Sequence, residues 1–304
     1  MFPESHAFAF GVTAYQSAWL KYHYPLEFYT SLFNQQPMGF YNLETIKEDA
    51  KRHHIQVLHP DINLSRDKTI IENHALRLGF LNVASIGSIA AQTIVKARDF
   101  EGQFVSLLDF MKRTSLLREA LENLADVGAF DSMTQNRRSV MWEIGLSYRP
   151  INRQLAMSLP VDQDMIGLPE LTNLERMNGE YRAMGLHPEG HIMSHVRKHL
   201  KIKLVTSKDL LGLKDGAAVT TAGLVIRRQR PLSKAVFVTL EDEYGHTPLM
   251  LWPNVYTQYR QVINNPLILV QGTISRRAGT MNVIISRAQT LNILEVIPRT
   301  KNWQ

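Results

Sequence analysis

The sequence of 304 residues contains no cysteine. That absence excludes a disulfide-stabilised scaffold, a thiolate zinc site, an iron–sulfur cluster and a cysteine nucleophile. The chain also lacks any run of 18 or more apolar residues, so we expect no membrane-spanning helix. Its first residues lack the basic region of a signal peptide. The sequence therefore predicts a cytoplasmic protein that binds no membrane.

Self-contained active-site motifs are missing as well. The chain has no phosphate-binding glycine loop, nucleophile elbow or dinucleotide fingerprint. Asp162 and Asp164 have the pairing of a two-metal site, but they lie in a linker flanked by prolines, without a third carboxylate on a rigid strand. Four histidines recur every four residues, which is a zinc-binding spacing on a helix, yet the arginines and lysines beside them favour a solvated or phosphate-facing stripe. We expect no catalytic residue, metal or cofactor in this chain. The histidines are His187, His191, His195 and His199.

Positive charge is concentrated in the last part of the chain. The whole sequence carries 34 basic and 28 acidic side chains, a net charge of +6. Residues 216–304 carry 10 basic and 4 acidic side chains, which accounts for the entire excess. A basic domain attracts phosphate groups without reading sequence. A polyanionic partner is therefore expected there, although a merely soluble basic surface would have the same composition.

The first 215 residues have the patterns of helices. Aromatic and apolar residues dominate residues 6–36 at helical spacing, and Pro25 is expected to divide that segment into two helices. A proline-rich linker follows much later, at 147–171. Further helices are predicted at about 43–54, 172–185 and 189–199.

Residues 73–146 contain an internal repeat of two units, each with the pattern of a helix, a tight turn and a second helix. The turns are 83–87 and 127–131. The repeat resembles a tandem helix-hairpin-helix, in which glycine lets the main chain approach a phosphate and the second helix presents its positive N-terminus. A plain helical hairpin is the alternative for the first unit. The residues predicted to contact DNA are Ser85, Gly87, Gly128, Arg137 and Arg138.

From Gly216 onward the hydrophobic period changes to two, which is typical of strands. Five strands are predicted, with a short helix at 253–263 between the third and the fourth, which is the order of an OB-type barrel. Such barrels bind single strands by stacking bases on aromatic side chains along a cationic groove, although Phe237 and Trp252 also fit a barrel core. The residues predicted to bind DNA here are Arg227, Arg228, Arg230, Lys234, Phe237, Arg276, Arg277 and Arg287.

Several segments, taken in order, strongly resemble bacterial C-family DNA polymerases, the family of the polymerase III alpha subunit. The similarity to the fingers of that family begins at Ser5-His6-Ala7 and extends through Phe10 and Tyr15 to 18–25. Residues 36–41 resemble its error-prone branch more narrowly. The other segments that carry the resemblance are 61–63, 127–131 with Asn136-Arg137, 222–231 and 238–245. Ser85 stands where the hairpin motif usually has glycine, and Ile192 where the family often has proline.

The resemblance implies template-directed DNA synthesis, in the error-prone branch across damaged template. It also implies that the hairpins hold duplex DNA behind the active site and that the barrel contacts single-stranded template. The catalytic aspartates and their Mg²⁺ belong to a palm domain upstream of the matched region. We therefore expect this chain to be a carboxy-terminal DNA-binding portion, inactive alone, with the missing palm as a partner.

The sequence thus predicts a multidomain chain, α then β, with a remnant of helical fingers, tandem helix-hairpin-helix and a five-stranded OB-type barrel. An alternative is a protein-interaction module of a translesion complex, because residues 163–166 resemble the glutamine-led peptides that dock in a sliding clamp. A weaker alternative is an RNA-binding OB protein. The predicted domains are 1–72, fingers-like; 73–146, hairpins; 147–215, linker and helices; and 216–304, OB-fold.

Overall fold

Helices make up most of the first part of the chain and a β-barrel most of the last part, which confirms the predicted fold class. The computed structural model describes residues 3–39, 41–148, 167–200, 202–230, 235–277, 279–291 and 301–302. Lys234 and the 163–166 peptide lie outside these ranges, as do Asp162 and Asp164.

The first segment consists of three helices: α1 (Glu4–His23), α2 (Pro25–Asn34) and α3 (Leu43–Arg52). Pro25 is the first residue of α2, a position where its missing N–H breaks no helical hydrogen bond. The predicted division at Pro25 is therefore confirmed. α2 buries Tyr29 and Phe33 in the main core, whereas no side chain of α1 is buried.

A small three-stranded sheet occupies the place of the helix predicted to open the first hairpin unit. Its strands are β1 (Val57–Leu58), β2 (Ile70–Glu72) and β3 (Ala75–Arg77), with β3 between the other two. Asn73 and His74 connect β2 to β3 with φ angles of 48° and 63°. Two successive positive φ angles reverse the chain as in a tight hairpin turn, and a right-handed helix does not accommodate them. The prediction of a helix here is therefore wrong.

The hairpin region contains four helices: α4 (Ser88–Glu101), α5 (Leu107–Thr114), α6 (Arg118–Asp126) and α7 (Arg137–Ser147). The second unit has helices on both sides of its turn, as predicted. In the first unit a single 3-10 turn, Phe80–Asn82, precedes α4. Phe110 on α5 packs edge to face against Phe130 of the second turn, with ring centroids 5.2 Å apart. These rings join the two units through one buried core.

Three helices lead to the barrel: α8 (Asn173–Met184), α9 (Ile192–His199) and α10 (Ser207–Gly212). The predictions of helices at 172–185 and 189–199 are confirmed by α8 and α9. Thr172 begins α8 with a capping box, because its hydroxyl accepts from the Glu175 amide while the Glu175 carboxylate accepts from the Thr172 amide.

In the last part of the chain the described residues form six strands and one helix: β4 (Ala218–Gln229), β5 (Val236–Glu241), β6 (His246–Leu251), α11 (Pro253–Ile263), β7 (Leu267–Arg277), β8 (Thr280–Thr290) and β9 (Lys301–Asn302). Five strands are hydrogen-bonded in the order β5-β6-β8-β7-β4, and β4 closes the barrel by pairing with β5. β9 adds parallel to the edge of β4. The helix lies between the third and fourth barrel strands, so the predicted OB-type order is confirmed.

Gly272 is required where β7 and β8 approach each other most closely. A Cβ atom at this position would lie 2.2 Å from the carbonyl oxygen of Ile284. The register shifts between Gln271 and Gly272, and such a bulge increases the local twist that a small barrel needs to close. Glycine at this position therefore belongs to the barrel architecture.

The turn between β5 and β6 joins the barrel to the helices. The buried Glu241 carboxylate accepts hydrogen bonds from Thr45 Oγ1 at 3.1 Å and Arg52 Nη2 at 3.2 Å, and it lies 3.0 Å from His246 Nε2. Burial alone would raise the pKa of Glu241, but the His246 hydrogen bond and the nearby charges of His191 and Arg52 lower it below its ordinary value. An ionised Glu241 therefore fixes the barrel against α3.

Candidate nucleic-acid interface

The first hairpin turn presents an open helix N-terminus. Gly87 is the N-cap of α4 and has no side chain with which to cover the first amides of that helix. These amides carry the positive end of the helix dipole. Ser85 has a φ of 63°, the left-handed conformation that favours glycine. The backbone thus has the shape the motif requires, even though Ser85 departs from its usual sequence.

An acidic residue stands beside this turn. The Ser85 hydroxyl donates to the Glu119 carboxylate at 2.7 Å, and the Asn123 side chain donates to the Ala84 carbonyl at 3.0 Å. These bonds tie the turn to α6 and hold its shape. They also place a negative charge next to Ser85, so the open amides of α4 are better placed than Ser85 to receive a phosphate.

The second hairpin turn is closed by its own side chains. Gly128 has a φ of 77°, and a Cβ atom there would lie 2.2 Å from Arg137 Nη2. Asn136 caps α7 by accepting from the amides of Arg138 and Ser139 at 3.1 and 3.2 Å. Because the N-terminal amides of α7 are already bonded, this turn has less to offer an anion than the first.

Arg137 lies inside the protein and stabilises the second turn. Only 3% of its surface is exposed. It donates to Asp131 Oδ2 at 2.7 Å, to Glu180 Oε1 at 2.7 Å and to the Asp126 carbonyl at 2.8 Å. Burial alone would lower the pKa of Arg137, but the hydrogen bond with Asp131 and the charge of Glu180 outweigh burial and raise it. The DNA contact predicted for Arg137 does not fit this position, because its donors are used internally.

Glu180 is the centre of the buried network that holds Arg137. Besides Arg137, it bonds to His187 Nδ1 and lies 2.9 Å from His59 Nε2. Burial alone would raise the pKa of Glu180, but the hydrogen bonds with His187 and His59 hold it well below the usual range. The network therefore links α8 to both the second hairpin and the segment that directly follows β1.

Two arginines predicted to bind DNA instead cap helices. Arg228 donates to the carbonyls of Ile263 and Asn265 at 2.7 and 3.0 Å, at the end of α11. Arg276 donates to the carbonyls of Leu211 and Leu213 at 2.7 and 3.1 Å, around the end of α10. A cation is stabilising at a helix C-terminus because the carbonyls there are unbonded and the dipole is negative. Their main role in this structure is to brace the barrel.

The remaining predicted cations face solvent. Arg227, Arg230, Arg277 and Arg287 are all exposed. Within the described residues the guanidinium groups of Arg277 and Arg287 make no hydrogen bond or ion pair. Arg138, in the second hairpin, is partly exposed and donates to the Glu175 carboxylate at 2.9 Å. The structure therefore separates the predicted set into braced and free arginines.

Exposed arginines border an apolar outer face of the barrel. Phe237 on β5 lies opposite Met250 on β6, which in turn lies opposite Ile284 on β8. Phe237 is 37% exposed. Arg227 pairs with Thr239 in the β4–β5 register, so it points to the same side as Phe237. The prediction that placed Phe237 and Arg227 in one site is compatible with this arrangement.

Loops bound this face at both ends of the strands. Arg230 lies in the connection from β4 to β5, and Arg277 lies where β7 turns into β8. In OB-folds the face of the second and third strands, between these two loops, binds oligonucleotides and oligosaccharides. Arg230 also lies over the ring of Tyr256 at 5.3 Å, a contact that the sequence pattern does not predict because the two residues are 26 positions apart.

The histidines spaced by four do not form a stripe on one helix. His187 and His191 are buried before α9 begins, whereas His195 and His199 lie on α9. The interpretation of all four as a solvated or phosphate-facing row is therefore wrong, because Gly190 and the buried cap at His191 interrupt the helix. In the part of the chain that the structure describes, no three histidine or acidic side chains are grouped to hold a metal ion.

Two family models match the chain. A helix-hairpin-helix motif matches residues 54–140, and an OB-fold nucleic acid binding domain matches residues 219–291. Among the helices of the described ranges, none is long and apolar enough to cross a membrane.

Curated relatives match nearly the whole chain. The error-prone DNA polymerase of Anaeromyxobacter dehalogenans (strain 2CP-C) is 34% identical over 306 residues, which is 95% of this chain and 27% of that protein. The error-prone DNA polymerase of Rhodopirellula baltica is 35% identical over 304 residues, 96% of this chain and 26% of that protein. The chain therefore spans about a quarter of the length of these relatives. Among solved structures, asparaginyl-tRNA synthetase from Pyrococcus horikoshii covers 31% of this chain, and this chain covers 24% of it, at 19% identity and a TM-score of 0.27.

Proposed function

Since the chain is related along nearly its whole length to error-prone DNA polymerases, we propose that it is the carboxy-terminal portion of such a polymerase and holds its DNA. The observation that carries this proposal is the combination, in one chain, of an open hairpin turn with a barrel face bordered by exposed arginines. The chain itself provides no catalytic carboxylates in this account. DNA synthesis requires a palm domain from the rest of the polymerase.

The first hairpin holds the backbone of duplex DNA in this proposal. The amides that follow Gly87 donate to a phosphate, and the dipole of α4 adds to the attraction. Glu119 next to the turn limits the strength of that contact by repulsion. The second hairpin contributes Arg138 at its rim, while Arg137 and Gly128 maintain its shape.

The barrel holds single-stranded template. Bases stack on Phe237, and the phosphates lie against Arg227, Arg277 and Arg287. This arrangement is sequence-tolerant, because every base has a face that can stack and every nucleotide has a phosphate. A template base that fails to pair can still stack and be held, which suits a polymerase of the error-prone kind named in the relatives.

A substitution at Gly87 tests the hairpin role without disturbing the fold. Apart from its two chain neighbours, no residue that the structure describes has an atom within 4 Å of a Cβ atom built at Gly87, whose φ is −83°. Gly87→Asp therefore supplies a favourable N-cap, which covers the open amides and adds a negative charge. Gln103→Glu adds a charge of the same size beyond the other end of α4 and is the matched control.

Fluorescence anisotropy with a labelled blunt duplex and a labelled single strand measures the effect at several salt concentrations. We expect Gly87→Asp to weaken duplex binding, to leave single-strand binding unchanged and to keep or raise the melting temperature. Gln103→Glu should change little. Equal duplex affinity for wild type and Gly87→Asp would remove the first hairpin from the interface.

The long helix α1 is the candidate contact to the rest of the polymerase. Its exposed side chains include Phe8, Phe10, Tyr15 and Trp19, and the 2.6 Å ion pair of Lys21 with Asp49 anchors its last turn. Exposed apolar surface of this size marks a protein contact. The relatives are about four times as long as this chain, so the remaining polymerase is the proposed occupant.

Self-association of the isolated chain tests whether the exposed apolar side chains of α1 form a protein contact. We expect concentration-dependent association in light scattering, and a variant with Phe10→Ser, Tyr15→Ser and Trp19→Ser should be monomeric. These side chains are exposed, so the variant should fold normally. Equal masses for wild type and variant at all concentrations would contradict this role. In primer extension with Mg²⁺ and all four nucleotides, the chain alone should produce no product.

A further inference from the structure

Trp252 lies at the point where the barrel face continues onto α11. It follows β6 directly, with an extended backbone (φ −70°, ψ 155°), and is the N-cap of α11. Met250 lies opposite Phe237. Trp252 is one residue past the end of β6 at Leu251, and the alternation of that strand, continued through the extended backbone, assigns it to the same outer face. Half of Trp252 is exposed.

A cation and a second ring lie behind Trp252. Tyr256 is four residues further along α11, and its amide donates to the Trp252 carbonyl at 2.9 Å. Residues four apart share one face of a helix. Arg230 lies 5.3 Å above the Tyr256 ring, a cation–π contact that restrains an otherwise flexible exposed side chain. From the barrel strands toward α11, the side chains therefore follow in the order Phe237, Trp252 and Tyr256, with Arg230 over the Tyr256 ring.

We propose that Trp252 is a base-stacking site that extends the nucleic-acid path from the barrel strands onto α11, with Tyr256 positioning Arg230 against the adjoining phosphate. The inference rests on the proposed function, because it takes a single-stranded nucleic acid as the ligand. A flat aromatic surface with a restrained cation on the adjoining turn of chain suits a base and its phosphate.

The surrounding charge favours this ligand over an acidic or a purely apolar one. Arg227 stands on the same outer face as Phe237, and Arg230 is held at its edge. The acidic residue of β5, Glu241, is buried at the far end of the strand and paired with Arg52. The aromatic row therefore lies in a positive environment, and its acidic neighbour is neutralised.

Intrinsic fluorescence can test this site directly. The chain contains four tryptophans, at positions 19, 142, 252 and 303. In the full chain, replacing the other three with phenylalanine leaves Trp252 as the only reporter, and a chain that retains only Trp142, on α7, is the control. The probe is oligothymidylate of about ten nucleotides, within the range that one OB-fold covers. Stacking should quench Trp252 and leave Trp142 unchanged.

Affinities of matched variants give the magnitude. Trp252→Ala should raise Kd for the oligonucleotide about 5- to 150-fold, which is the range that one stacked base supplies, and Trp252→Phe should restore most of the loss. Trp142→Ala should have no effect. Tyr256→Leu should weaken binding and lower its salt dependence as far as Arg230→Ala does, whereas Tyr256→Phe should match wild type.

The binding and quenching results separate the stacking site from the proposed function. Oligonucleotide binding without quenching of Trp252, or with equal Kd for wild type and Trp252→Ala, would overturn the stacking site and leave the proposed function standing. Arg230→Ala weakening binding while Tyr256→Leu does not would overturn the positioning role. No binding of any strand at low salt would overturn the proposed function together with this site. Circular dichroism melting of each variant separates loss of binding from loss of fold.

Discussion

Arg276 and Arg277 are adjacent in sequence, yet the structure gives them opposite roles, and this difference is open to a quantitative test. Arg276 donates to the carbonyls of Leu210, Leu211 and Leu213. Arg277 is exposed and, within the described residues, its guanidinium group has no protein partner. We therefore expect Arg277→Ala to reduce nucleic-acid binding and Arg276→Ala to reduce stability.

The magnitudes follow from counterion release and hydrogen bonding. Each phosphate contact on a single strand contributes about 0.7 to the slope of log K against log salt concentration, so Arg277→Ala should lower the slope by about 0.7. Arg276→Ala removes hydrogen bonds from a charged donor at an exposed site and should cost about 1 kcal/mol of unfolding free energy.

Binding titrations with a labelled single strand at four or more salt concentrations, alongside urea unfolding, measure both effects on both variants. The expected result is a double dissociation, with a changed slope only in Arg277→Ala and a changed unfolding free energy only in Arg276→Ala. An unchanged slope in Arg277→Ala would refute the assignment of this arginine to the interface. A changed slope in Arg276→Ala at unchanged stability would refute its role as a brace.

Three further predictions concern the buried network and the second turn. Arg137→Ala should destabilise the chain by about 3–5 kcal/mol, because it leaves the Glu180 carboxylate buried without its charged partner, whereas Arg138→Ala at the surface should change urea unfolding by less than about 1 kcal/mol. Because folding lowers the pKa of Glu180, the ionised carboxylate stabilises the folded protein at pH values above the ordinary pKa of 4.5. This contribution should be lost as the pH falls below 4.5. Across that range, the unfolding free energy of Glu180→Gln should depend less on pH than that of the wild type. Gly128→Ala should cost about 1–3 kcal/mol in thermal unfolding, because φ is positive and the new methyl group meets the Arg137 guanidinium; an unchanged melting temperature would contradict that geometry.

The sequence predicts the barrel well because its determinants are local and periodic. Alternating apolar residues specify each strand, and the helix between the third and fourth strands indicates the topology. It predicts the first hairpin unit less well. The reversal at Asn73 and His74 depends on left-handed conformations that no hydrophobic period reveals, and tertiary pairing with β1 completes the sheet.

The sequence predicts which types of residue form the site, but not which individual residues take part in it. Composition and spacing indicate where arginines cluster, yet they do not distinguish Arg277, which faces solvent, from Arg276, which caps α10. Similarly, Arg137 follows a glycine turn in the expected place, but its partner Glu180 lies 43 positions away. Long-range ion pairs decide which cations remain free, and they are visible only in three dimensions.

Hydrogen–deuterium exchange of the chain, with and without a primer–template that has a single-stranded overhang, shows where on the chain DNA binds. We predict slower exchange in two separate places: the first turn of α4, after Gly87, and the outer strands β5 and β6 with the start of α11. Binding of the primer–template with protection confined to other segments, or with none in these two, would contradict the proposed DNA-binding role.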